Sequence, residues 1–122
     1  MPALVLLTAL LAQLADKPIS ARAIAEAYQE NEVAADQAFK GNRVLLIGPV
    51  AKVWRTDPDR TPVIDLETGV DEQIASRIVC YLRKGHPLAE VARLRRGRLV
   101  TLSCMGDGQR MSIVMKDCEL TK

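Results

Sequence analysis

The sequence predicts a mainly β protein: a five-stranded Greek-key barrel with N-terminal helices and a short helix between its third and fourth strands. Three observations predict it. Five segments of strand character lie between Arg43 and Cys118, interrupted by one short helical pattern. The first of them is long and carries Gly48-Pro49 in its middle, a pair that forbids a regular central strand but suits a barrel strand that bends. The chain has 122 residues, 48 % of them hydrophobic, enough for one core, and closure removes the edges a small open sheet would expose.

The elements follow in order. Ser20 is an N-cap residue with Ile19 before it and Ile24 at the fourth helical position, a staple arrangement that starts a helix near residue 20. Asn31 interrupts it. A second short helix, with Val33, Ala34, Ala38 and Phe39 as core contacts, ends at Gly41, a natural residue past a helix C-terminus. Residues 43–54 form the long strand, 62–68 the second and 76–82 the third. Pro87 opens a helix with Leu88, Val91, Ala92 and Leu94 on its apolar face and Gly97 as its stop. Residues 98–105 and 110–118 flank Gly106-Asp107-Gly108-Gln109, which reads as a hairpin turn. Alternation puts Ile78, Cys80 and Leu82 inside, with Val100, Leu102 and Cys104 opposed by Met111, Ile113 and Met115. Long bent strand, two strands, helix, two strands is the order of the OB-fold. The chain therefore divides into a signal peptide or hydrophobic N-terminal segment (1–15), a helical lead-in (16–41) and the barrel (42–122).

Residues 3–15, ALVLLTALLAQLA, are almost wholly apolar. The run has the length of a signal-peptide core and is too short for a relaxed membrane span. It departs from the usual signal in having no basic residue before it and Gln13 at the −3 position for cleavage after Ala15. It predicts export, with a periplasmic or secreted location; a cytoplasmic protein with a buried N-terminal helix is the alternative. Any membrane contact would run through this segment alone.

Charge is asymmetric. Residues 16–75 carry a net −4 and residues 76–122 a net +6, for an overall +2. That is far below a strongly basic DNA-binding domain. The three cysteines, Cys80, Cys104 and Cys118, form no CxxC or Cys/His pattern, so no zinc site and no other cofactor is expected. In an oxidising compartment two of the three could pair; spacing does not choose which. His86, the single histidine, stands at a helix start, where side chains are mostly solvated or capping. Asp57, Asp59 and Asp65 lack the ligand pattern of a calcium loop. No constellation for catalysis emerges, and the chain reads as a non-enzyme.

What remains is recognition. OB-fold barrels bind with strands two and three and the adjoining loops, single strands being held by a basic groove and stacking aromatics. Tyr81 and Arg77 face away from Ile78 and Cys80, Trp54 ends the first strand, and Arg83 and Lys84 follow Tyr81. Arg93, Arg95, Arg96 and Arg98 surround the end of the helix. These nine residues are the candidate binding site.

The stretch from Ala27 to Val53 resembles the anticodon-binding-like (tRNA_anti-like) OB-fold family of bacterial lipoproteins and exported proteins. The marks are Tyr28, Asn31-Glu32, Ala35-Asp36, Lys40-Gly41 and Gly48, then Cys80-Tyr81-Leu82, Gly97, Cys104-Met105-Gly106 and Asp117-Cys118. The resemblance covers roughly residues 20–120. Leu82 stands where the family has an aromatic residue, and the aromatic, Tyr81, directly follows the cysteine. The resemblance implies an exported binding module and carries over no ligand-contact residue. The expected function is non-catalytic recognition of a protein, peptide or envelope component; single-stranded nucleic acid is the alternative partner.

Overall fold

The computed structural model describes residues 17–71 and 74–121. The run 3–15 lies outside them. Ser20 accepts the Ala23 N–H at 3.0 Å and starts helix α1, Ala21–Glu30. Asn31 serves two helices at once. Its backbone N–H bonds to Ala27 O at the end of α1, and its side chain accepts the Ala34 N–H to start α2, Glu32–Phe39. Ala21, Ile24, Ala25 and Tyr28 of α1 are buried, joined from α2 by Ala35 and Phe39. Two expected core contacts fall elsewhere: Val33 is 70 % exposed and Ala34 is exposed. The buried pair of α2 is spaced four apart, one helical face, and Val33 and Ala34 lie off it. Gly41, at φ +78°, releases the chain into the barrel as expected.

Residues Ile19–Ser20 form a two-residue strand, β1, parallel to β2, Arg43–Arg55. β1 is too short to leave a periodic signal in the sequence. β2 changes partner midway. Arg43–Pro49 pair with β5, Leu99–Gln109, and Val50–Arg55 pair with β3, Pro62–Glu67. The register break lies between Val50 and Lys52, just beyond the expected Gly48-Pro49. Gly48 itself admits helix α1: a Cβ there would sit 2.8 Å from Ala21 Cβ. β3 pairs with β4, Arg77–Leu82; β4 runs parallel to β6, Ile113–Leu120; and β6 pairs with β5. Because β5 returns to β2, these five strands close into the OB-fold barrel.

Ile64, Leu66, Ile78, Cys80, Leu102, Cys104, Ile113 and Met115 fill its interior. The expected inward faces of the third and fourth barrel strands hold. The hairpin does not. Gly106–Gln109 continue β5, and the turn falls at Arg110, Met111 and Ser112. Met111, expected inside, is 91 % exposed at its tip. The glycines serve close approach. Gly106 lies against the Phe39 carbonyl, where a Cβ would overlap the backbone, and it exchanges hydrogen bonds with Asn42 and Gly41. Gly108 sits at φ +87°, a conformation L side chains rarely adopt.

The helix between strands, α3, is only Leu88–Ala92. Val91 is buried and Leu94 partly so, but Leu88 is 50 % exposed and Ala92 is exposed. A five-residue helix presents one narrow face, which Val91 takes. Cys104 and Cys118 form a disulfide between β5 and β6, and Cys80 remains a buried thiol beside them. His86 is buried as well, unlike the solvated position expected of it. Its Nε2 accepts the Leu120 N–H at 3.1 Å, and Nδ1 faces Pro87 O at 3.1 Å. The ring pins the entry to α3 onto the end of β6.

Candidate functional site

The outer face of β2, β3 and β4 is assembled by register. Trp54, Val63 and Tyr81 stand opposite one another, as do Lys52, Asp65 and Val79, and Glu67 faces Arg77. Directly paired residues point to the same side of a sheet, so these side chains share one surface. The Trp54 and Tyr81 rings meet edge to face, centroids 6.4 Å apart at 70°. Val63 between them is fully buried.

Asp65 is the centre of this face. It is 7 % exposed. It accepts the Trp54 indole Nε1–H at 2.9 Å and forms an ion pair with Arg77 at 3.8 Å. A buried carboxylate requires such partners. The pairing holds the indole in one orientation. The structure thus brings together Trp54, Arg77 and Tyr81 of the predicted residues, and adds Asp65, Lys52 and Glu67. Strand alternation at Val63, Asp65 and Glu67 was the signal for two of these. The charges on the face cancel: Lys52 and Arg77 against Asp65 and Glu67.

The other predicted cations lie away from this centre. Arg83 and Lys84 join Arg55, Arg60 and His86 around a cleft of about 230 Å³, beside Pro62 at the start of β3. Arg83 is paired with Glu119 at 2.8 Å and Arg60 with Asp57 at 3.5 Å. Arg96 reaches Glu67, at the opposite end of β3, at 3.9 Å. Arg93 and Arg98 line a second cavity of about 360 Å³ with Leu94, Leu99 and Leu120. Arg95 lies exposed in the turn between α3 and β5, its carbonyl accepting the Arg98 N–H. The six-residue β3 separates the two cationic ends by roughly 17 Å. Of the nine predicted residues, Trp54, Arg77 and Tyr81 form the centre of the face, Arg83 and Lys84 lie at one end of β3 and Arg96 at the other, and Arg93 and Arg98 line a separate cavity against β5 and β6.

Inside the barrel the sulfurs of Cys80, Cys104 and Cys118 all lie within 4.8 Å of one another. Burial, helped by the Asp65 carboxylate, pushes the Cys80 thiol well above the usual thiol range. Sequence spacing could not reveal this cluster, because three different strands supply it.

The tRNA_anti-like family profile matches residues 9–119. A crystal structure from Klebsiella pneumoniae, described as a "putative nucleic acid-binding lipoprotein", superposes with a TM-score of 0.64 at 12 % identity, covering 86 % of this chain and 92 % of that one. At that identity the likeness is one of fold. The OBody AM1L10, solved bound to hen egg-white lysozyme, gives a TM-score of 0.44 at 21 % identity, covering 69 % of this chain and 83 % of its own. No functionally curated protein matches the sequence.

Proposed function

The chain belongs to the tRNA_anti-like family, and from that premise we propose that it is a non-catalytic, exported binding module whose β2–β4 face recognises a protein, peptide or envelope partner. One observation carries this reading. The buried Asp65 holds Trp54 and Arg77 on a charge-balanced surface, and Tyr81 packs edge to face against Trp54. Trp, Tyr and Arg are the residue types that dominate binding hot spots. A face whose charges cancel suits a polypeptide better than a polyanion. The non-catalytic part rests on the two buried polar groups best suited to move a proton. Asp65 is taken up by Trp54 and Arg77, and His86 by Leu120 and Pro87. Export rests on the apolar run 3–15 and agrees with the lipoprotein description of the Klebsiella neighbour.

A second reading is single-stranded nucleic acid laid along β3. The cations at both ends of the face favour it, with Arg83 and Lys84 at one end and Arg95 and Arg96 at the other. The edge-to-face pair leaves few ring faces for bases, each stacked base being worth about 1–3 kcal/mol.

Trp54 is the only tryptophan, so its fluorescence reports this face alone. We would titrate the folded chain with oligothymidine at low and high salt, and in parallel test retention of envelope proteins by wild type and Trp54→Ala. Salt-insensitive retention lost in Trp54→Ala, with no response to oligothymidine, supports the protein reading. Quenching by oligothymidine that weakens steeply with salt, flattened by replacing Arg95 and Arg96, replaces it with the second.

A further inference from the structure

We propose that the reduced barrel is a receptor for a trivalent thiophilic ion of the arsenite class, held jointly by Cys80, Cys104 and Cys118. The proposal is independent of the partner bound by the outer face. The three sulfurs come from β4, β5 and β6, are fully buried, and already lie within 4.8 Å of one another. By register Cys80 stands between Ile64 and Met115, Cys104 faces Val44 and Cys118 faces Leu82. The surroundings are hydrocarbon and sulfur, which select a soft ion.

Charge then selects its valence. Three thiolates around a monovalent ion leave two negative charges in the core, and around a divalent ion they leave one. Uncompensated buried charge is costly. A trivalent ion leaves a neutral complex. The third sulfur matters for the same reason. Cys104 and Cys118 alone would leave a hydroxyl on arsenic inside the apolar core; Cys80 replaces it.

The chemistry balances in two steps. A dithiol or phosphine reductant first opens the Cys104–Cys118 bond. Two electrons and two protons arrive at the two sulfurs, and the reductant leaves oxidised. Arsenious acid then exchanges its three hydroxyls for three thiols. Three As–O bonds break, three S–As bonds form, and three waters depart carrying the thiol protons; arsenic keeps its oxidation state.

The test uses the full chain, reduced with a water-soluble phosphine and titrated with arsenite. Native mass, sulfur-to-arsenic absorption and titration of free thiols are read together, with circular dichroism to follow the fold. The expected result is one arsenic per folded chain with all three thiols consumed. Cys80→Ala should lose the three-sulfur absorption and retain arsenic at least about tenfold more weakly, equivalent to ~1.4 kcal/mol. Should Cys80→Ala fail to fold, Cys80→Val fills the site with hydrocarbon and must show the same loss. Equal uptake by the oxidised chain, equal retention by the Cys80 variant, or a reduced chain that unfolds before arsenite is added would each overturn the proposal.

Discussion

The Tyr28 hydroxyl donates to Asp36 Oδ1 at 2.9 Å, tying helix α1 to helix α2 across Asn31. Both residues are among the marks by which the chain resembles its family. Burial first, then the bond to Asp36, raises the phenol's affinity for its proton. The folded state therefore keeps a proton that the unfolded chain releases. Stability is fully present below the ordinary tyrosine range, near pH 10, and falls as pH rises above it. Tyr28→Phe should cost about 1 kcal/mol at neutral pH and reduce the alkaline loss, as read by urea unfolding across pH.

Cys80 has the same sign. Burial raises its thiol, so folding should weaken as pH passes the ordinary thiol range, about 8.5. Iodoacetamide should leave Cys80 unmodified in the native oxidised chain at that pH and label it once urea unfolds the barrel. Labelling of the native chain would place the thiol within reach of solvent.

The disulfide closes a loop of sequence separation 14. In the chain-entropy account a loop of that size stabilises by about 3 kcal/mol. Reduction should lower the unfolding midpoint accordingly while the barrel's circular dichroism persists at low temperature.

Gly106→Ala should be among the most damaging single changes in the chain. The added Cβ would overlap the Phe39 carbonyl, and the helical lead-in would have to move off β5. More than about 4 kcal/mol is expected, in the range reserved for named steric failures. Denaturant unfolding measures it.

Methionines give an internal contrast. Met111→Ser, at the hairpin tip, should change stability by no more than about 0.5 kcal/mol. Met115→Ala, in the barrel interior, should cost about 2–5 kcal/mol. Comparable losses at the two positions would mean that the hairpin turns where its glycines first suggested.

Local signals were legible. Ser20 as a cap, Gly41 as a helix end and the alternation Ile78-Cys80-Leu82 each depend on neighbours in the chain, and the order of strands around α3 was enough to read a closed barrel. Contacts between distant segments were not. Gly106 and Gly108 carry turn composition, yet Gly106 is required by the backbone of Phe39 and Gly108 by its φ of +87° inside β5. Tyr81 and Arg77 are legible because outward alternation is periodic, and Trp54 because it ends the first strand beside a loop. Asp65, their organiser, was weighed only as part of a run of aspartates. The sequence sets Arg83 and Lys84 beside the arginines that surround the helix end, yet Arg83 and Lys84 flank Pro62 at the start of β3 while Arg96 reaches Glu67 at its other end. The pairing of Cys104 with Cys118 follows from the neighbouring strands β5 and β6, which spacing alone does not encode.

The change of partner along β2 has a kinetic side. Within the barrel its first half pairs with β5, and Arg43 reaches Ser103 across 60 positions. Contacts of that separation close late, because the loop entropy must be overcome before they form. A nascent chain that has not yet released β5 can pair β1, β2, β3 and β4 as an open sheet, with the barrel unclosed. The barrel is sealed by β5 and β6, so an emerging chain stays threadable until both of these strands have been made.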